Sequence, residues 1–307
     1  MAKNENIIMS VKDLTKVFKS GMINPDITVA VKSVSFDIKP GEIISLIGES
    51  GSGKTTIGKL VLKLLEPTEG HIYYKGQDIT LLSSKDEKRK YYKRVQGIFQ
   101  DPFATFNPLY RVDRVFDMIF KSFGYDESDK EKKIYQVLKD VNLNPDRTLG
   151  KFPHQLSGGQ LQRLLIARAL LMDVDILIAD ELISMLDAST RIGVLNLLVE
   201  LCKKNDMSVV FITHDLNLGY YISDESLIMY KGRLVEQGDT KKIYENPVHP
   251  YTQMLFESVP EIGDRWDSGE EFLPEQIVYD VGDFYKNNAG KGFVEIEEDH
   301  SVLYSDE

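Results

Sequence analysis

The chain has 307 residues, 42% of them hydrophobic, with 48 acidic residues against 37 Lys plus Arg, which gives room for one large domain or two around a sizeable core. The formal charge of −11 is unevenly spread: residues 264–307 carry 13 acids and 3 bases, the residues before them 35 and 34. The body is therefore almost neutral, and composition offers no case for a nucleic-acid partner.

From the N-terminus, residues 1–6 hold no apolar stretch of signal-peptide length, and nowhere do 18 apolar residues run together. We therefore expect a soluble protein that meets a membrane only through a partner. Residues 7–47 alternate short apolar runs with turn signals and read as β-strands; the last, Ile43 to Ile47, is nearly all apolar, as in a strand buried on both faces. Gly48-Glu49-Ser50-Gly51-Ser52-Gly53-Lys54-Thr55, continued by Thr56, matches the phosphate-binding loop G-x-x-x-x-G-K-[ST]. The glycines let successive N–H groups turn toward one anion. Lys54 supplies a compact positive charge for the β and γ phosphates, Thr55 a hydroxyl for Mg²⁺, and the following helix its positive end. Ile57, Leu60, Val61, Leu64 and Leu65 trace one face of that helix, which Pro67 stops.

A strand is expected over 70–76. Residues 103–156 turn to a charged helical pattern, with helices over 115–123 and 129–141. Leu156-Ser157-Gly158-Gly159-Gln160 then leads into the apolar run Leu161 to Leu171, where Ser157 suits a helix cap. Apolar strands at 176–179 and 209–213 flank a helical stretch from Thr190 to Lys204, an alternation that argues for a parallel sheet with crossover helices. Cys202 sits on that stretch; as the single cysteine it allows no internal disulfide and no thiolate-held zinc or iron–sulfur centre. Asp180 and Glu181 close the first of these strands and would share a crevice with the phosphate loop. Asp180 is placed to hold Mg²⁺ through water, and Glu181 to polarise the water that attacks the γ-phosphate.

In that order, these motifs resemble the ATP-binding cassette proteins over about residues 7–262. Leu156 to Gln160 is similar to the family signature, Gln100 to its Q-loop glutamine, Ser184 to Asp187 to its D-loop and His214 to its switch histidine. The resemblance implies an α/β fold: a P-loop NTPase core of RecA type, an N-terminal antiparallel β subdomain, and an inserted helical lobe over about 103–158. It also implies a family-specific segment over about 240–262, leaving 263–307 as an acidic extension, expected either disordered or packed on a partner. ATP would lie between the phosphate loop of one cassette and Ser157, Gly158, Gly159, Gln160 and Asp187 of another, with Phe18 stacked on adenine. Gln100 would meet Mg²⁺ or the attacking water, and His214 the γ-phosphate.

Ile98 to Phe103, Phe106-Asn107-Pro108 and Asn246-Pro247-Val248-His249-Pro250-Tyr251-Thr252 are similar to the ATPase subunits of oligopeptide and dipeptide importers. Related subunits serve nickel and some oligosaccharide importers. The implied partners are a second cassette, copy or paralogue, placed head to tail, two transmembrane permeases and, indirectly, an extracellular solute-binding protein. The implied location is the cytoplasmic face of the membrane, and the apolar residues from Pro102 to Leu109 would receive a helix of the membrane subunit. Two other functional classes use the same phosphate loop. A soluble cassette ATPase acting on ribosomes or DNA would carry two cassettes or long coiled coils. A small-molecule kinase or GTPase would need no signature, and no Asn-Lys-x-Asp motif is present. Three positions depart from the family: Leu182 and Ile183 stand where Pro and Thr are usual, and Leu161 where Arg is common.

Overall fold

The computed structural model describes residues 6–21, 26–258 and 274–305, the side chains of the last stretch from 281 onward. β1 (Met9–Ser20) and β2 (Asp26–Ile38) pair antiparallel, and β4 (Glu69–Tyr74) with β5 (Gln77–Asp78) completes a four-stranded sheet ordered β2-β1-β4-β5. Between β2 and β4 the chain enters the second sheet as β3 (Ile43–Ile47) and leaves through α1 (Lys54–Val61). The apolar spacing predicted α1 as far as Leu65. It ends at Val61, with Lys63 left-handed and its ammonium held by Glu66 and the Thr80 carbonyl.

α2 (Lys85–Arg94) opens on a Ser84/Glu87 capping box and feeds β6 (Val95–Ile98). α3 (Pro102–Thr105), α4 (Arg114–Phe123), α5 (Lys130–Asp140) and α6 (Pro145–Thr148) follow, and α7 (Gly158–Leu171) returns the chain to the sheet. Then come β7 (Ile176–Asp180), α8 (Ala188–Asn205), β8 (Ser208–Thr213), α9 (Leu216–Ile222), β9 (Glu225–Tyr230), β10 (Arg233–Asp239), α10 (Thr240–Glu245) and α11 (Pro250–Glu257). Among the described residues no helix is long and apolar enough to cross a membrane.

Among the described residues the second sheet has eight strands. β6, β7, β8, β3 and β9 run parallel, and β10 and the two strands beyond it antiparallel. Its central strands are buried on both faces, and side chains alternate between two cores as a pleated strand requires. Leu177, Ala179, Val209 and Phe211 pack beneath α7, α8 and the inserted helices, whereas Ile176, Ile178, Val210 and Ile212 pack toward α1 and the antiparallel sheet. Leu161, Leu182 and Ile183 lie in the first of these cores, with Leu161 wholly buried. An apolar side chain at each place is thus a packing requirement of this chain.

The acidic extension differs from the expectation of disorder or packing on a partner. Its described part, α12 (Pro274–Asn287), β11 (Phe293–Glu297) and β12 (His300–Leu303), folds back on the chain's own sheet, β12 pairing antiparallel with β10. The join is polar and buried: the Glu236 carboxylate meets His300 Nε2 at 2.7 Å and accepts the N–H groups of Val248 and His249 at 3.0 Å. A buried carboxylate answered three times is a specific attachment. The acids of this hairpin face outward, and Val302 and Leu303 face in. Residues 259–273 lie outside the described part.

Candidate active site

The C-terminal ends of β3, β7 and β8 open on a crevice of about 780 Å³, the place where an open parallel sheet takes its ligand. Gly48, Glu49, Ser50, Gly51, Gly53, Lys54, Thr55, Thr56, Gln100, Asp180, Glu181 and His214 all line it. The loop between β3 and α1 threads close against its neighbours. Gly48 and Gly53 have φ of +154° and +107°. A Cβ would stand 2.2 Å from the Met229 carbonyl oxygen at the first and 2.3 Å from that of Ala30 at the second. Only glycine permits this path between β9 and β2.

Inside the loop Lys54 is buried, its ammonium donating to the carbonyl oxygens of Gly48 (2.6 Å) and Glu49 (2.7 Å) and to Ser52 Oγ (3.3 Å). Burial draws its pKa below the usual lysine value, against the opposing pull of Glu181, Asp180 and Glu49. Ser52 lies beneath the loop and does not line the crevice. Thr55, in the first turn of α1, donates its hydroxyl to Asp180 Oδ1 at 3.3 Å. Burial pushes the Asp180 carboxyl above the ordinary aspartate range; the Thr55 hydroxyl opposes this and the Glu181 charge adds to it.

Glu181 follows with a left-handed backbone, φ +52°, a conformation that costs a residue with a side chain about 1–3 kcal/mol. It is held by its N–H donating to the Ile212 carbonyl at 3.0 Å. Its Oε1 lies 2.7 Å from His214 Nδ1, so the residues that follow β7 and β8 meet at the crevice. One hydroxyl and one carboxylate of hard oxygen donors fit Mg²⁺, which takes few protein ligands and fills its octahedron with water and phosphate. No cluster of three or more His, Cys, Asp or Glu able to enclose a metal occurs among the described residues.

The remaining candidates stand elsewhere. Ser157, Gly158, Gly159 and Gln160 begin α7 on an outer surface of the chain. Ser157 Oγ accepts the Gln160 N–H at 3.3 Å, and Gln160 Oε1 accepts the Ser157 N–H at 2.9 Å. Asp187 caps α8, accepting from Ser189 Oγ (2.6 Å), Thr190 Oγ1 (2.8 Å) and the Thr190 N–H (3.0 Å), which hold its carboxyl down to about 2. The two caps are neighbours, since a Cβ on Gly159 would come within 2.6 Å of Thr190 Cγ2. Phe18, on β1 opposite Thr28 of β2, is exposed beside the Lys16 ammonium and does not line the crevice. Thr28, Val29 and Ala30 do, as do Leu255 and Ser258 at the end of α11. No spacing in the sequence marks these five; the nearest signal is the Asn246 to Thr252 run, which leads into α11.

Comparison with known proteins identifies the family. The ABC transporter family matches residues 31–184, and the C-terminal region of oligopeptide/dipeptide transporters matches residues 235–295. The chain is 40% identical to the oligopeptide transport ATP-binding protein AppF of Bacillus subtilis over 264 residues, 84% of this chain and 80% of that one. It is 41% identical to AmiF of Streptococcus pneumoniae over 259 residues, 82% of each. Among solved structures it resembles the dimeric post-hydrolysis ATP-binding cassette MJ0796 bound to ADP and Pi. The TM-score is 0.67 at 29% identity, covering 76% of this chain and 98% of that one. cbiO1 from Clostridium perfringens, part of the transporter complex cbiONQ, matches with a TM-score of 0.67 at 27% identity, covering 79% and 92%. The chain belongs to the ATP-binding proteins of ABC transporters, in the oligopeptide/dipeptide family.

Proposed function

We propose that this chain binds and hydrolyses ATP to drive a multi-subunit importer at the cytoplasmic face of the membrane, with oligopeptides or dipeptides as cargo. The observation that carries the reading is the convergence of Lys54, Thr55, Asp180 and the Glu181–His214 pair on one crevice. On ATP binding the Lys54 ammonium turns from the Gly48 and Glu49 carbonyls to phosphate oxygens, which answer its charge better than neutral acceptors do. Thr55 and Asp180 would hold Mg²⁺, with Gln100 at the rim; when bound it would neutralise charge on the phosphates. Glu181, which accepts from His214 Nδ1–H, takes the proton of the attacking water, and His214 in its doubly protonated form would also donate from Nε2 to a γ-phosphate oxygen.

Ser157, the amides that follow it and Asp187 serve the triphosphate of a second cassette, a copy or a paralogue placed head to tail. AppF and AmiF, both oligopeptide transport ATP-binding proteins, support the cargo, and the dimeric MJ0796 supports the pairing. A groove of about 280 Å³ lined by Leu62, Leu64, Phe99, Thr105 and Leu165, together with the exposure of Phe103 and Leu109, supports docking to permease subunits. Uptake of a labelled oligopeptide tests the reading. Cells lacking this chain should lose uptake and regain it with wild type but not with Glu181→Gln. Uptake indifferent to the deletion would overturn the cargo, and rescue by Glu181→Gln would overturn the site.

A further inference from the structure

Tyr251 is fully buried at the start of α11, yet its hydroxyl reaches the phosphate loop and accepts the Glu49 N–H at 3.0 Å, from 202 positions away in sequence. The Glu49 peptide is thereby held on both sides, because its carbonyl accepts from Lys54 Nζ at 2.7 Å and from the Ser52 N–H at 3.2 Å. Tyr251 is itself fixed. Its ring packs on Tyr230 with centroids 4.3 Å apart, and its N–H donates to His249 Nδ1 at 3.2 Å. His249 in turn donates its own N–H to Glu236, which meets His300 of β12. A buried polar path thus runs from the C-terminal hairpin to the loop that would take the phosphates. Tyr251, His249, Glu236 and His300 have no part in the hydrolysis described above.

We propose that Tyr251 is a positioning residue for ATP binding, holding the Glu49 end of the phosphate loop in place, with the docked β11–β12 hairpin setting where Tyr251 stands. The proposal rests on the ATPase reading. When Lys54 leaves the Gly48 and Glu49 carbonyls for phosphate, the Glu49 peptide keeps two holds, the Ser52 N–H and the Tyr251 hydroxyl. A phenol on a packed ring cannot follow the loop if it shifts, so the N–H groups that face the anion stay aligned. Without the hydroxyl, the Glu49 N–H has no acceptor and the loop relaxes to find one. Since the same loop grips ATP before and during reaction, the loss falls on binding and not on the chemical step.

Tyr251→Phe keeps the ring and removes the hydroxyl. The expected result is a KM for ATP raised about fivefold, with kcat within about twofold of wild type and an unchanged thermal midpoint. Deuterium uptake over residues 46–53 in the nucleotide-free protein should rise in step. Glu236→Gln, which weakens the His300 contact at similar shape, should move KM and uptake in the same direction by less. An unchanged KM with unchanged uptake in Tyr251→Phe would overturn the proposal. So would a fall in kcat and thermal midpoint together, which marks a purely structural role. Glu236→Gln indistinguishable from wild type would overturn the link to the hairpin. A wild-type protein without ATPase activity would instead overturn the ATPase reading, and uptake over residues 46–53 would still decide whether Tyr251 holds the loop.

Discussion

Two stretches of this chain place glycines at the start of a helix, and they are built in opposite ways. Around Gly48 to Thr56 the partners arrive from far along the sequence: Thr55 meets Asp180 and Glu49 meets Tyr251, while at the opposite wall Glu181 meets His214. Around Ser157 to Gln160, and at neighbouring Asp187, the side chains are answered within three residues by the helix each one opens. The first stretch is a crevice assembled by the tertiary fold of one chain. The second is a pair of self-sufficient helix caps on an outer surface, one half of a cradle under the proposed function. Damage to the first should therefore be felt by a single chain, and damage to the second chiefly when two cassettes close.

The largest effect should come from the first stretch. Under the proposed function Glu181→Gln removes the proton acceptor and keeps the shape, so phosphate release should fall about 10³-fold while nucleotide titration gives near wild-type affinity. Turnover at the wild-type rate would take Glu181 out of the chemistry. Ser157→Ala comes next: hydrolysis by the paired cassettes should fall about 10²-fold, the loss typical of one preorganised donor, with about 1 kcal/mol lost from stability for the missing cap. A loss of stability alone would make Ser157 a cap and nothing more, and would break the contrast drawn above.

Leu161→Arg, which restores the residue common in the family, should lower the unfolding free energy by about 2 kcal/mol or more, because it drives a charge into a wholly buried position. Equal stability by denaturant titration would mean that the first turn of α7 can open to water.

The smallest effect separates the two stretches by pH. Asp180 is raised, so on acidification it takes up its proton while ordinary aspartates are still charged, and Mg-ATP affinity should fall with it. Asp187 is depressed to about 2. The stability it contributes is present above the unfolded aspartate value of about 3.9 and is lost only as pH falls through the folded value. Nucleotide titrations taken from about pH 7 to about pH 4 should weaken before the α8 cap contributes any change. Steady affinity over that range would remove Asp180 from the metal-binding role.

What the sequence made legible follows the same division. Runs of apolar residues marked β3, β7 and β8 because each is buried on both faces; the glycine-rich match after β3 located Lys54, and the ends of β7 and β8 located Asp180, Glu181 and His214, without knowledge of their distances. The caps at Ser157 and Asp187 are local and could be read from neighbouring letters. α2 and β6 gave no such signal: α2 is nearly all charged, with Tyr91 its only buried residue, and β6 is four residues long with Gln96 and Gly97 inside it. Thr28 to Ala30, Leu255 and Ser258 reach the crevice only through tertiary packing, which no spacing encodes. The C-terminal hairpin was hidden by its composition, since its many acids suggested solvation while Val302, Leu303 and His300 carried the attachment.

The hairpin also leaves the large sheet with a new border. β11 has β12 on one side and no strand on the other among the described residues. Such a strand offers unpaired backbone groups on which a neighbouring molecule could continue the sheet, the first step toward fibres. Glu295 and Glu297 stand exposed along that border, with Glu298 and Asp299 at its turn. Two copies approaching edge to edge would bring these like charges face to face at strand spacing, where repulsion opposes pairing. The acidity that first resembled a loose appendage guards the molecule against joining its own kind in the wrong way.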